Sequence, residues 1–171
     1  MVDSASKASS LKPSLRWACS TPSRFIAFGF GSGVLRPGPG TWGTVVGWVL
    51  WVLLLQHVSD SAIAVILILS FAIGCWACQR AGDDLGVPDH GGMNWDEIVA
   101  FWLVLWLSPT GFIAQLCAFG LFRFFDIIKP PPVRYVDRRL SGGFGVMFDD
   151  IVAALYALLV MAVLVRLGVF V

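Results

Sequence analysis

Two pairs of adjacent carboxylates, each followed directly by an apolar run, are the residues of this chain best suited to chemistry. Asp96 and Glu97 form the first pair, and Asp149 and Asp150 form the second. Charged side chains at the edge of a hydrocarbon layer are costly unless a cation compensates them, and carboxylate oxygens suit a hard divalent cation such as Mg²⁺. We therefore predict that these four acids are metal ligands. A structural alternative stays open for the first pair, because the helix macrodipole favours negative charge in a first turn.

A second group of charged residues, Arg123, Asp126 and Lys129, recurs at intervals of three near the end of an apolar run. On a helix this spacing places them along one slowly drifting face. The spacing fits a local ladder of ion pairs. It also fits a site in which Arg123 and Lys129 bind an anion, with a bidentate fork and a point charge respectively, while Asp126 joins the metal site. Arg134, in the polar loop that follows, is a further candidate for binding substrate.

The polar segments upstream contain the remaining candidates. Asp84 is predicted to be a further metal ligand or a residue that orients metal-bound water. His90 is a candidate general acid, which would protonate an alkoxide as it leaves in a hydrolysis reaction. A histidine beside Asp89 is equally suited to a structural role. Ser32 and Thr41 lie in a region rich in glycine and proline, and their hydroxyls are candidate donors to phosphate oxygens. A tight turn that leads into a helix is the alternative reading of this region.

The composition is that of an integral membrane protein. Of 171 residues, 57% are hydrophobic and 13% are charged, and the mean hydropathy is +0.79, which lies far from the balance of a soluble domain. The formal net charge of +1 argues against a nucleic-acid partner, because binding a polyanion requires a concentrated basic face. Residues 1–24 predict a flexible polar N-terminal tail, and residues 25–171 predict a single membrane-embedded domain.

The apolar runs predict an all-α, polytopic membrane helical bundle with four to five membrane helices. A short apolar segment at residues 25–33 cannot cross about 30 Å of hydrocarbon and predicts a re-entrant or surface helix. Breaks at Ser59 and Pro109 divide the later runs into two helical hairpins, and a final helix follows. This topology gathers nearly all the acids and cations on one face. The positive-inside tendency predicts that this face is cytoplasmic and that the C-terminus lies opposite.

Acids that hold Mg²⁺ beside cations that hold phosphate suit phosphoryl chemistry on a lipid headgroup. Cys117 and Arg123 have the spacing of a cysteine phosphatase, but the residues between them have an apolar helical pattern and do not resemble a phosphate-binding loop. The chain contains no Asp-x-Asp sequence for an aspartyl-phosphate mechanism, and His57 falls on the face opposite His90. We therefore predict in-line attack by a metal-activated water, without a covalent intermediate.

Several motifs that combine glycine with charged residues follow one another from about Phe28 to Ala153. They are Phe28-Gly29-Phe30-Gly31-Ser32-Gly33, Pro39-Gly40-Thr41-x-Gly43, Gly86-Val87-x-Asp89-His90-Gly91, Trp95-Asp96-Glu97, Phe122-Arg123-x-x-Asp126-x-x-Lys129-Pro130 and Gly142-Gly143-x-Gly145-Val146-Met147-x-Asp149-Asp150-Ile151-Val152-Ala153. Together these motifs resemble the bacterial phosphatidylglycerophosphatase A family. The resemblance implies an all-helical, Mg²⁺-dependent inner-membrane enzyme that removes the terminal phosphate of phosphatidylglycerophosphate to give phosphatidylglycerol. It points to Asp84, Asp96, Glu97, Arg123, Asp126, Lys129, Asp149 and Asp150, without assigning a role to each carboxylate.

Two other classes of function stay open. A small transporter or ion-coupled channel would use the acids as a cation pathway, and it predicts acids spread through the depth of the membrane. A non-enzymatic assembly subunit would pair the acids with Arg134, Arg138 and Arg139, and divalent metal would have no effect on it. The expected partner is the phospholipid substrate. No obligate protein partner is predicted, and the sequence leaves the oligomeric state open.

Overall fold

The computed structural model describes residues 13–131 and 141–170, and this part of the chain is helical without any β-strand. The prediction of an all-α membrane helical bundle is confirmed. The α-helices are α1 (Leu15–Ala18), α2 (Pro22–Ala27), α3 (Pro39–Leu53), α4 (Asp60–Leu85), α5 (Trp95–Trp106), α6 (Phe112–Ile128) and α7 (Gly142–Arg166). Two 3-10 segments, Gly29–Val34 and Leu55–His57, extend α2 and α3. Arg134, Arg138 and Arg139 lie outside the described residues.

In the part of the chain that the structure describes, three helical segments are long and apolar enough to cross a membrane, by length and composition. They are Pro39–His57, Asp60–Leu85 and Gly142–Arg166. Helix α5 has 12 residues and is about 18 Å long at 1.5 Å per residue, which is shorter than a hydrocarbon core of about 30 Å. Helices α5 and α6 form the predicted second hairpin. Helix α6, with 17 residues, is also shorter than the three segments. The sequence predicted four to five crossings, and the shortness of α5 and α6 accounts for the difference.

Local sequence sets several of the helix boundaries. The Ser59 hydroxyl accepts a hydrogen bond from the N–H of Ala62 at 3.4 Å, and this cap starts α4 where the hairpin break was predicted. Gly86 ends α4 in the left-handed region at φ 68°, a conformation that glycine adopts without steric cost. The helical region also begins earlier than expected. Helix α2 starts at Pro22, and α1 lies within the segment predicted as a tail.

Helix α5 lies at the centre of the bundle and contacts α3, α4, α6 and α7. Its buried side chains include Ile98, Val99 and Phe101. The indole N–H of Trp102 donates to the carbonyl of Gly47 on α3 at 2.8 Å, and the absence of a side chain at this glycine lets the two helices approach closely. Because α5 is central, the acids of its first turn are placed in the interior of the protein.

Candidate active site

Five carboxylates from three helices meet at one end of the bundle, and we call them the acid cluster: Asp96, Glu97, Asp126, Asp149 and Asp150. Asp96 lies close enough to Glu97 and Asp149 for the three carboxylates to interact electrostatically. Asp150 interacts in the same way with each of the other four. The structure thus brings together the four acids predicted to be metal ligands and Asp126, from the end of α6, which was predicted to join the same site.

The second acid pair is not at the start of its helix. Helix α7 begins at Gly142, so Asp149 and Asp150 lie about two turns inside it. The helix starts this early because two glycines fit against α4. Gly143 donates its N–H to the side-chain oxygen of Gln79 at 2.9 Å, and a Cβ at Gly143 would collide with the carbonyl of Cys75. This contact carries the acid pair into the interior.

The carboxylates of the acid cluster are deeply buried. Asp150 is 3% exposed, Asp149 4% and Asp96 8%. Ionised carboxylates are rarely this buried unless they are paired or coordinate a metal. Backbone N–H groups donate to only some of the buried carboxylate oxygens. Asp96 Oδ1 accepts from Glu97 N at 3.0 Å, and Asp149 Oδ1 accepts from Asp150 N at 3.1 Å. Glu97 Oε2 and Asp150 Oδ2 are buried without a hydrogen-bond partner among the described residues.

Two cations from the end of α6 contact the acid cluster. Arg123 Nη1 donates to Glu97 Oε1 at 2.9 Å and forms an ion pair with Asp126 Oδ2 at 2.7 Å. Lys129 Nζ forms an ion pair with Asp149 Oδ2. The i,i+3 pair between Arg123 and Asp126 is the local ladder considered from the sequence. The pairs with Glu97 and Asp149 join different helices, so the contacts of these cations are not only local. Binding of an anion by Arg123 and Lys129, and of a metal by Asp126, stays a prediction.

The backbone at Lys129 differs from ordinary helix. This residue ends α6 in the left-handed region, with φ 45° and ψ 66°. A non-glycine residue pays a steric cost there, and such residues cluster at functional sites. The conformation turns the chain out of the helix at the point where the Lys129 side chain meets Asp149.

The N-terminus of α3 also reaches the acid cluster. Its N-cap is Gly38, at φ 68° and without a side-chain hydrogen bond, so first-turn N–H groups are not capped by that residue. A Cβ at Gly40 would collide with Glu97 Oε1 and lie 2.9 Å from Arg123 Nη2. The positive end of the α3 dipole therefore lies beside the ion pair of Glu97 and Arg123. Thr41, in the same turn, is exposed.

Three of the predicted residues have other surroundings. Asp84 is exposed and pairs with Arg24 Nε at 2.9 Å. The ring of His90 lies 5.9 Å from the ring of Phe28, and its Nδ1 accepts from the N–H of Gly92 at 3.1 Å. Ser32 is buried and donates to the carbonyl of Gly29 at 2.8 Å. The catalytic and phosphate-binding roles of these three residues stay predictions.

The structure adds two residues that the sequence did not single out for a role. Asp89, an exposed residue in the loop before α5, lies close enough to Asp96 and Glu97 to affect both electrostatically. Its position in a loop rich in acidic residues is the sequence feature that could have identified it as part of the site. Asn94 is fully buried immediately before α5. From sequence it reads as an ordinary helix cap, and nothing in the pattern predicts its contacts with other elements.

The donors of the acid cluster fit a hard divalent cation, because they are carboxylates and two of their buried oxygens have no partner in the described part of the chain. Within residues 13–131 and 141–170, however, no three His, Cys, Asp or Glu side chains converge in a metal-holding geometry. Arg123 and Lys129 instead form ion pairs with three of the cluster's carboxylates, Glu97, Asp126 and Asp149.

Comparison with known proteins gives a consistent picture. The family model described as phosphatidylglycerophosphatase A matches residues 25–165. A Haemophilus influenzae protein named phosphatidylglycerophosphatase A is 46% identical over 140 residues, which cover 81% of this chain and 86% of that protein. An Escherichia coli protein of the same name is 37% identical over 139 residues, which cover 81% of this chain and 80% of that protein. None of the solved protein structures matches this chain.

Proposed function

Because this chain belongs to the phosphatidylglycerophosphatase A family, and is therefore a phosphoric monoester hydrolase, we propose a specific form of that reaction for it. The protein hydrolyses the terminal phosphomonoester of phosphatidylglycerophosphate to phosphatidylglycerol and inorganic phosphate. The reaction requires Mg²⁺ and takes place at the cytoplasmic face of the bacterial inner membrane. One observation carries this proposal: three carboxylates at least nine-tenths buried, Asp96, Asp149 and Asp150, lie in one acid cluster beside Arg123 and Lys129.

The phosphate of the substrate would bind between the cations of α6 and the first turn of α3. Arg123 has a buried Nε without a partner in the described residues, so it retains a donor for a phosphate oxygen. Gly40 brings the backbone of α3 next to the Arg123 guanidinium, where first-turn N–H groups favour an anion. Lys129 adds a second positive charge, and Thr41 offers a hydroxyl from the same helix turn. Arg134, outside the described residues, is a further candidate.

The acids would hold the metal. Asp96, Glu97, Asp149 and Asp150 are the proposed Mg²⁺ ligands, and Asp126 is proposed to orient water near them. When bound, Mg²⁺ supplies positive charge that polarises the phosphoryl group and makes water a stronger nucleophile near neutral pH. Attack in line by water leaves no phosphate on the protein, so trapping a phosphorylated side chain during turnover would contradict this mechanism. His90 is the proposed proton donor to the leaving alkoxide.

The proposed membrane orientation rests on where the cations lie. Arg24, Arg123 and Lys129 lie on the acid-rich end of the bundle, whereas Arg166 lies at the far end of α7. Cytoplasmic loops carry the excess of Lys and Arg in membrane proteins. This asymmetry supports a cytoplasmic site with the C-terminus on the opposite side. A C-terminal reporter that is active only outside the cytoplasm tests the orientation. An active reporter is expected, and an inactive reporter on an expressed protein would reverse the orientation.

The direct test is release of inorganic phosphate from phosphatidylglycerophosphate in detergent micelles, with Mg²⁺ and then with excess chelator. Wild type is compared with Asp149→Asn, which removes one charge with little change in shape. The matched control is Asp60→Asn, because Asp60 is an exposed acid at the opposite end of the bundle that accepts from Trp106 Nε1 at 3.1 Å.

Wild type and Asp60→Asn should release phosphate only with Mg²⁺, and folded Asp149→Asn should release none. Equal release with chelator would refute the metal requirement. If folded wild type with Mg²⁺ releases no phosphate, the enzyme assignment for this substrate fails, and the ion-coupled transporter becomes the leading alternative.

A further inference from the structure

Asn94 is a polar side chain with no exposed surface, at the position immediately before α5. Its amide Nδ2 donates to Ser32 Oγ and to the carbonyl of Pro39, at 2.9 Å in both cases. Its backbone N–H donates to the carbonyl of Ala27, also at 2.9 Å. One residue therefore joins the end of α2, the 3-10 segment and the first turn of α3.

The Asn94 side chain does not perform the local role that its position suggests. It occupies the N-cap of α5 but makes no side-chain hydrogen bond to that helix, although Asn is among the residues preferred as caps. The carboxylate of Asp96 accepts the N–H of Glu97 instead. The Asn94 amide thus forms its hydrogen bonds with the 3-10 segment and α3, not with its own helix.

The neighbouring backbone is shaped around this amide. A Cβ at Gly43 would lie 2.7 Å from the Asn94 Cβ, and a Cβ at Gly29 would collide with Asn94 Oδ1. Real Cβ atoms do not approach that closely, so glycine at both positions is required for the observed contact. Asn94 Oδ1 is buried without a hydrogen-bond partner among the described residues, which is an unfavourable arrangement for a residue that only fills space.

The amide contacts fix the part of α3 that meets the acid cluster. Pro39, which accepts from Asn94, is followed directly by Gly40, whose α-carbon faces Glu97 and Arg123. Asn94 is also only two and three residues before Asp96 and Glu97 in the chain. The hydrogen bond to Pro39 therefore sets the distance between the first turn of α3 and the start of α5, and the hydrogen bond to Ser32 holds the amide in place.

We propose that Asn94 is a positioning residue for phosphate binding: its buried amide holds the first turn of α3 against the Glu97 and Arg123 ion pair, and thereby sets the affinity for a phosphomonoester. The inference rests on the proposed function, because it takes the space between α3 and Arg123 as the phosphate site. It assigns Asn94 no contact with substrate. Its effect is exerted through the position of α3.

The test uses the full-length protein in micelles and measures inhibition of phosphatidylglycerophosphate hydrolysis by inorganic phosphate, together with kcat, KM and the melting temperature. Asn94→Asp keeps the shape and replaces the donating amide with an acceptor. Losing two donated hydrogen bonds should raise KM and the phosphate inhibition constant by about 5- to 50-fold, with a smaller change in kcat. Gly43→Ala, which leaves the amide in place and displaces it, should shift both constants in the same direction, and it provides the result if Asn94→Asp does not fold.

The matched control is Gln115→Leu. Gln115 is the other buried side-chain amide among the described residues, and it accepts from Trp48 Nε1 at 2.7 Å, joining α3 to α6 away from the acid cluster. This variant should lower the melting temperature and leave the phosphate inhibition constant unchanged. If the Asn94 and Gly43 variants behave the same way, Asn94 is merely structural and the inference is wrong. A folded wild type without activity on this substrate would instead refute the proposed function.

Discussion

Asp150→Asn should make the metal-free protein more stable and at the same time remove its response to Mg²⁺. The reason is the position of the Asp150 carboxylate. It is 3% exposed, its Oδ2 has no hydrogen-bond partner among the described residues, and four other acids surround it. Replacing this carboxylate with a neutral amide of nearly the same shape removes its repulsion by the other four carboxylates. The amide also adds N–H groups that can donate hydrogen bonds to those carboxylates. The substitution also removes a proposed metal ligand.

The size of the effect follows from the cost of a buried unsatisfied group, which is about 1–3 kcal/mol. In a protein of this length each kcal/mol shifts the melting temperature by about 2–4 °C, so Asp150→Asn should melt about 2–12 °C higher than wild type in chelator. Mg²⁺ at a hundred times its dissociation constant adds about 2.7 kcal/mol to wild type, or about 5–11 °C. The variant should lose most of that increment.

The neighbouring residue provides the control, because Asp149 pairs with Lys129. Removing the Asp149 charge leaves Lys129, whose side chain is 27% exposed, without this ion pair. The expected loss lies between that of a surface pair and that of a buried pair, at about 1–3 kcal/mol. Asp149→Asn should therefore melt about 2–12 °C lower in chelator, and it should also fail to respond to Mg²⁺.

The assay is thermal unfolding followed by intrinsic fluorescence of the eight tryptophans, in detergent, with Mg²⁺ and with chelator. Two adjacent, nearly isosteric substitutions are thus expected to change stability in opposite directions. The reasoning is refuted if Asp150→Asn melts below wild type in chelator, since its carboxylate would then be stabilising without metal. A full Mg²⁺ response in the same variant would exclude Asp150 as a ligand.

Three further substitutions test other parts of the site. Gly40→Ala should reduce phosphate release more than tenfold, about 1.4 kcal/mol of barrier or more, because its Cβ would collide with Glu97 Oε1; Gly120→Ala, whose Cβ meets nothing within 4 Å, should keep full activity. Cys117→Ser should retain activity, because Cys117 lies within helix α6 and not in a phosphate-binding loop; loss of activity with an intact fold would reinstate a cysteine nucleophile. Lys129→Met should weaken inhibition by inorganic phosphate and lower the melting temperature, because Asp149 loses its ion-pair partner; an unchanged phosphate inhibition constant would remove Lys129 from the phosphate site.

The sequence predicted the helical hairpins because the determinants of their turns are local. Ser59 caps α4 at the first predicted break. The second predicted break, at Pro109, lies between the end of α5 at Trp106 and the start of α6 at Phe112. The gathering of acids at one end followed from counting helix ends, without any knowledge of packing. These features depend on residue types that act over one or two turns, which is why pattern alone identifies them.

The features that the sequence did not predict depend on contacts between distant residues. A run of glycines ordinarily argues against a helix, yet Gly142 and Gly143 begin α7 because only glycine fits against Cys75 and Gln79 of α4. Asp84 was grouped with the other acids, whereas its partner is Arg24, 60 residues earlier in the chain. Tertiary packing determines both the start of α7 and the partner of Asp84, and the sequence near these residues does not indicate either contact.

The ion pairs of the acid cluster imply that metal and phosphate bind cooperatively. In the structure Arg123 and Lys129 neutralise Glu97 and Asp149, and the proposed function assigns the same cations to phosphate and the same acids to Mg²⁺. When phosphate binds Arg123 and Lys129, these cations neutralise less of the negative charge of Glu97 and Asp149. The affinity of the carboxylates for a divalent ion then rises. Thermodynamic linkage requires the reverse effect to be equal. Titration calorimetry of the folded protein should therefore show tighter Mg²⁺ binding with inorganic phosphate present, by about 5- to 150-fold for a typical coupling. Lys129→Met should reduce this factor, and equal Mg²⁺ affinity with and without phosphate would mean that the cations stay with the acids when substrate binds.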